Sequence, residues 1–260
     1  MPARWWRKNR GVKALVGAVL LFWSPAAAGQ VVVDLELILA IDASDSVNRW
    51  EYALQIDGMA AAFQDPAVIA AIQAGPNEAI AVTVIEWSGR YQQQTVLPWT
   101  RIDDAESAED FARAVSGLQR TFDNGVTSIS GILDYASQRF DDNGFEGYRR
   151  VIDISSDGRQ NQGRRLHLAR EDALERDLTI NALTILAEMP DLEMYFKEEV
   201  IGGFGAFVEV AKDYNVYAEA IRRKLLREIS TTPIGDLPLR DDGQLARLRA
   251  QVQPSDGERR

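Results

Sequence analysis

Six runs of strand length, five of them apolar, separated by segments of helical period, predict an α/β fold with a mostly parallel central sheet. Two further observations support it. No break in composition divides Val33 from Ile229, so the pattern describes one domain of about 200 residues within the 260 of the chain. The third run is polar on both sides and carries Pro98 near its end, as suits the edge of a sheet rather than its centre.

The elements follow in order along the chain. Residues 33–41 form a buried strand by length and composition. Residues 48–63 read as a helix, with Asn48 and Glu51 spaced as a capping box and Leu54, Met59 and Phe63 among its apolar positions; Pro66 lies just beyond. Strands follow at 79–87 and 93–100. A helix over 105–118 opens on Asp103 and Asp104, at the positive end of its dipole. The loop Asn124-Gly125-Val126-Thr127-Ser128 leads into a helix over about 130–140. The fourth strand, 150–155, ends at Ser156-Asp157-Gly158. Then come a helix over 166–176, a strand over 178–186 and a short helix over 192–200. Gly202-Gly203-Phe204-Gly205 turns the chain into a last strand at 207–210. Residues 217–229 close as an amphipathic helix with Ala218, Ile221, Leu225 and Ile229 on one side.

The ends differ from this body. Residues 1–28 carry five basic residues and no acidic one, then ten apolar residues, then small residues ending in Ala26-Ala27-Ala28. That order predicts a cleaved secretory signal peptide and a periplasmic or secreted destination. An uncleaved anchor is the rival, but ten apolar residues fall short of the about 20 that span a bilayer, so no stable membrane span is expected after cleavage. Residues 230–260 hold prolines, Asp/Gly turns and a terminal Ser-Asp-Gly-Glu-Arg-Arg, and read as a mostly disordered tail with a marginal helix at 244–252.

Without residues 1–28 the chain has 24 basic and 39 acidic residues, a net charge of −15. Such a surface repels nucleic acid and anionic membranes. The chain has no cysteine, which removes thiol catalysis, zinc–thiolate sites and disulfides together.

The first strand delivers Asp42-Ala43-Ser44-Asp45-Ser46 into a turn. One carboxylate and two hydroxyls offer hard oxygen donors to a hard cation. Ser and Asp are equally ordinary as helix caps and turn residues, so the triplet alone leaves both readings open. In open α/β sheets, however, ligands bind where loops converge at the carboxyl ends of the strands. Thr127 and Asp157 lie on two such loops.

These residues resemble the von Willebrand factor A domain and its metal-ion-dependent adhesion site. That family carries Asp-x-Ser-x-Ser after its first strand, a Thr in a Gly-x-Thr-type loop and an Asp in a Thr/Ser-Asp-Gly turn after its fourth. Here Asp42-Ala43-Ser44-Asp45-Ser46, Gly125-Val126-Thr127 and Ser156-Asp157-Gly158 stand in that order. The resemblance covers residues 33–229 and extends in detail to a bacterial group of exported A-type domains of unknown function. It implies a Rossmann-type sheet flanked by helices on both faces. It also implies a metal site of Asp42, Ser44, Ser46, Thr127 and Asp157 holding Mg²⁺, or Mn²⁺ or Ca²⁺. Ser44 and Ser46 would bind directly, Thr127 directly in a high-affinity state, and Asp42 and Asp157 mostly through water. A partner protein's Asp or Glu carboxylate would fill the open position.

The expected function is therefore a non-enzymatic, cation-dependent protein-binding module of adhesion or scaffolding type. A Mg²⁺-dependent hydrolase is the alternative, though Ser44 occupies the second position of the Asp-x-Asp that common aspartyl phosphatases use; a structural domain with a vestigial site is another. His167 is the only histidine and reads as an exposed helix residue. Asp45 reads as a solvated turn residue. Trp50, Trp87 and Trp99 read as packing residues. For Asp153, in mid-strand, a role beside the site and a role facing another polar group both stand.

Overall fold

The structure, a computed structural model, describes residues 29–230. The proposed signal peptide and all but the first residue of the proposed tail lie outside the described residues.

Strands β1 (Val31–Asp42), β2 (Ile80–Trp87), β3 (Gln93–Ile102), β4 (Phe145–Ser156), β5 (Thr179–Ile185) and β6 (Val208–Ala211) form one sheet in the order β3-β2-β1-β4-β5-β6. Every neighbouring pair is parallel except β2 and β3. The polar β3 is indeed an edge. Its register against β2 shifts between Val82 and Val84, opposite Pro98 and Trp99, where proline has no N–H to give the ladder.

Helices α1 (Arg49–Phe63), α2 (Pro66–Gln73), α3 (Ala105–Ser116), α4 (Ile129–Ser137), α5 (Leu166–Glu175), α6 (Leu192–Tyr195) and α7 (Tyr217–Ser230) flank the sheet. The strand period of two sorts β1 between two cores. Leu35, Leu37, Leu39 and Ile41 pack with residues of α1, α2, α3 and α7. Ile38 and Ala40 pack on the other side with residues of α4, α5 and α6. On the first side Phe63 and Phe111 meet edge to face, with ring centroids 4.7 Å apart, and tie α1 to α3. Gly58 lets α1 and α7 touch, since a Cβ there would stand 2.9 Å from the Ala218 Cα.

Asn48 closes the predicted capping box, accepting from Trp50 and Glu51 N–H while the Glu51 carboxylate accepts from its own N–H. Helix α2 is additional to the sequence reading. Asp65 caps it through the Ala67 N–H and Pro66 occupies its first turn, the arrangement in which proline starts a helix instead of ending one. The 192–200 segment is four α-helical residues followed by a π turn over Phe196–Val200.

The tryptophans separate. Trp87 is fully buried, and half-buried Trp99 donates its indole N–H to the Arg139 carbonyl across 2.9 Å. Trp50 departs from its expected packing role: on the first turn of α1 it is 58% exposed. Asp153 faces a polar group, with its Oδ1 2.7 Å from Lys224 Nζ of α7. That ammonium also lies 2.7 Å from Glu228 Oε1, and all three side chains are buried.

Candidate metal centre

The sheet order places a switch point between β1 and β4. From β1 the chain proceeds to β2 on one side, and from β4 to β5 on the other, which opens a crevice at their carboxyl ends. Asp42 is the last residue of β1, and Asp157 follows the last residue of β4. The converging loops thus meet at the middle of the sheet's carboxyl end.

Hydrogen bonds link four of the five candidate residues. Asp42 is fully buried; its Oδ1 accepts from the Ser44 N–H at 2.8 Å and its Oδ2 from the Ser156 hydroxyl at 2.5 Å. The Ser44 and Ser46 hydroxyl oxygens are 3.2 Å apart. Ser46 donates to Asp157 Oδ1 across 2.7 Å. Thr127 stands beside the turn that follows Asp157: a Cβ on Gly158 would lie 3.4 Å from its Oγ1. Asn161 holds that residue in place by accepting from the Thr127 N–H at 2.9 Å.

Asp45 is exposed, as expected, but it is also a staple. Its N–H donates to the Gly125 carbonyl and its carboxylate accepts from the Gly125 N–H, both at 2.8 Å, joining the first loop to the Thr127 loop. The lone His167 is exposed on α5.

Burial, and then the charge of Asp157, push the Asp42 carboxyl up to about 7 against the hydrogen bonds from Ser156 and Ser44. Asp157 is raised as well, chiefly by burial and against the bond from Ser46. The buried Tyr214 hydroxyl stands beside Asp157 outside hydrogen-bond geometry, and burial followed by the charges of Asp157 and Asp42 suppresses its ionisation. Among the described residues neither carboxylate forms an ion pair with a Lys, Arg or His side chain, and the guanidinium of Arg120 is spent on the Ala43 and Ser44 carbonyls. Two neighbouring buried acids without an ion-pair partner fit a small divalent cation, and hydroxyls complete a donor set of hard oxygens. Among the described residues no group of three or more His, Cys, Asp or Glu is arranged to hold a metal, so any ion here would rest on two carboxylates and three hydroxyls.

Behind the first loop lies a second tier that the sequence does not announce. Arg120, from the irregular segment after α3, donates to the carbonyls of Ala43, Ser44, Val47 and Phe122 over 2.5–3.1 Å. Glu86, buried on β2, fixes that segment by accepting from the Thr121 and Phe122 N–H groups and from the Tyr52 hydroxyl. Gln55 of α1 donates to the Asp42 carbonyl. Ser156 is visible as part of the Ser-Asp-Gly turn, whereas Arg120, Glu86 and Gln55 act on the first loop or on the segment that carries Arg120 through contacts between residues 13 or more apart in the chain.

The family of proteins of unknown function DUF1194 matches residues 32–233. The chain belongs to this family. No curated protein matches this DUF1194 chain. Among solved structures it resembles proximal thread matrix protein 1 from the mussel byssus, with a TM-score of 0.56 at 15% identity over 78% of this chain and 49% of that one. A second structure of that protein, described as having a zinc-occupied MIDAS motif, gives a TM-score of 0.55 at 16% identity over 78% and 48%. A von Willebrand factor type A protein from Catenulispora acidiphila gives 0.50 at 19% identity over 76% and 43%. The DUF1194 chain thus spans about half or less of each of these three solved chains. What it shares with them is the von Willebrand factor A fold.

Proposed function

We propose that this chain is an exported module that binds a protein partner through a divalent cation of the Mg²⁺ type, gripping an Asp or Glu carboxylate on that partner. The observation that carries the reading is the linked set Asp42, Ser44, Ser46 and Asp157 at the sheet's switch point, with Thr127 beside the adjoining Gly158 and the two acids buried without an ion-pair partner. The zinc-occupied MIDAS motif in the mussel protein supports divalent binding on this fold.

In this reading the hydroxyls of Ser44, Ser46 and Thr127 are direct ligands, while Asp42 and Asp157 act mostly through water. A bound cation supplies an electrophile for an outside carboxylate. Ser156 and the Ser44 N–H orient Asp42, and Asn161 orients Thr127. Export rests on the order of residues 1–28. No helix among the described residues is long and apolar enough to cross a membrane. His167 is exposed on the first turn of α5, and among the described residues no hydrogen bond joins it to a serine or an aspartate, which supports a binding role over a Ser-His-Asp hydrolase.

Calorimetric titration of the chain with Mg²⁺ and Mn²⁺, and of Asp42→Ala beside it, tests the proposal. Heat is expected from the unmodified chain alone. Peptides carrying one Asp, against their Asn counterparts, should then bind only with the ion present. Absence of ion binding by the unmodified chain sinks the reading.

A further inference from the structure

The loops at this site spend their backbone carbonyls on protein donors. In the first loop the Asp42 carbonyl accepts from Gln55, those of Ala43 and Val47 from Arg120, and that of Ser44 from Arg120 and the Val47 N–H. In the second, Asn124 accepts from Gln92 Nε2, Gly125 from the Asp45 N–H, Val126 from the Ser88 hydroxyl, and Thr127 from the Asn161 and Gln162 N–H groups. Eight of the ten carbonyls of residues 42–47 and 124–127 are engaged in this way, those of Asp45 and Ser46 being the two outside the set.

That division matters for the choice of ion. Ca²⁺ takes six to eight oxygens in flexible geometry and commonly recruits backbone carbonyls. Mg²⁺ is smaller, demands six near-octahedral positions and keeps several of its waters, so a few hydroxyls and water-bridged carboxylates suffice. Mn²⁺ suits the same oxygen chemistry. A loop whose carbonyls are already bonded can swing few of them inward for a larger ion.

Arg120 is the largest single contributor. One planar guanidinium collects three carbonyls of the Asp-x-Ser-x-Ser loop, and its own segment is anchored to β2 by Glu86. It touches none of the five candidate ligand side chains through these bonds, so it acts through the loop.

We propose that Arg120 is the positioning residue that sets ion selectivity, holding the loop carbonyls away so that Mg²⁺ and Mn²⁺ are accepted and Ca²⁺ is disfavoured. This rests on the cation-binding function proposed above.

The test is the ratio of Mn²⁺ to Ca²⁺ affinity, measured by calorimetry on the unmodified chain, Arg120→Gln and Glu86→Gln. The unmodified chain is expected to bind Mn²⁺ at least roughly tenfold more tightly than Ca²⁺, and Arg120→Gln to bring the ratio below about threefold. A purely structural role lowers the melting temperature and weakens both ions together without moving the ratio. Should Arg120→Gln fail to fold, Glu86→Gln, which loosens the anchor while leaving the guanidinium in place, must narrow the ratio in the same direction. A folded variant with an unchanged ratio overturns this inference and leaves cation binding standing, as does an unmodified chain that prefers Ca²⁺. An unmodified chain that binds neither ion overturns the function itself, and this inference with it.

Discussion

The Ser156 hydroxyl donates to the Asp42 carboxylate across 2.5 Å, tying the end of β4 to the end of β1 where the two strands part company with their loops. The bond holds charge on a carboxylate that burial and Asp157 both work to neutralise. The site is therefore assembled under electrostatic tension, and that tension is measurable.

The first consequence is a pH dependence. Asp42 and Asp153 each rise from 3.8 to about 7, with burial the leading cause in both. Between those values the folded chain holds more protons than the unfolded one, so stability falls as pH rises through the interval. In chelator the melting temperature should be lower at about pH 8 than at about pH 5.5, and added Mg²⁺ should shrink the difference. Scanning calorimetry decides it; a melting temperature that climbs with pH in chelator refutes the claim.

Asp157→Asn should separate the ion from the scaffold. The amide keeps an oxygen for Ser46 and removes one of two neighbouring buried charges. In chelator the variant should melt about 2–4 °C higher than the unmodified chain. It should also lose the rise that Mg²⁺ produces. A variant that melts lower in chelator, or that still responds to the ion, contradicts the arrangement described.

Much of the framework could be read from pattern. The capping box at Asn48 and Glu51, the edge character of β3 and the convergence of Asp42, Ser46 and Asp157 all follow from local residue order plus the rule that ligands gather at strand ends. What escaped was set by position in space. Pro66 reads as a helix breaker until Asp65 is seen to cap the helix that it starts. Trp50 reads as core because of its size, yet it sits at a helix start that faces solvent. Arg120 goes unmarked in the sequence because its carbonyl partners in the first loop lie more than seventy residues away.

Lys224 offers a test of the buried charges. Lys224→Met leaves the Asp153 and Glu228 carboxylates without their shared ammonium and should cost about 3–5 kcal/mol in urea unfolding. The combination Asp153→Leu, Lys224→Met and Glu228→Gln should recover most of that loss, since Gln retains an oxygen for the Asn181 amide. A single variant as stable as the parent would show that the ammonium contributes nothing.

Gly58→Ala reverses the usual sign of a helical Gly→Ala change, which ordinarily stabilises. The new methyl would stand 2.9 Å from the Ala218 Cα and from the Tyr217 ring, and only a shift of α7 relieves the first contact. A loss of about 1–3 kcal/mol is expected. A gain in denaturant midpoint would place the two helices farther apart than described.

The long β1 and the closing α7 give the body two poles. The chain enters the sheet at Val31, eleven residues before Asp42, which at the rise of an extended strand is about 36 Å away. It leaves through α7, where the Glu228 carbonyl accepts from Arg149, whose β1 neighbour is Leu35, near that same entry. Both exits lie at the pole opposite the carboxylate–hydroxyl cluster. Anything joined to the ends of this body would attach at the pole away from that cluster and leave the loops that carry it free.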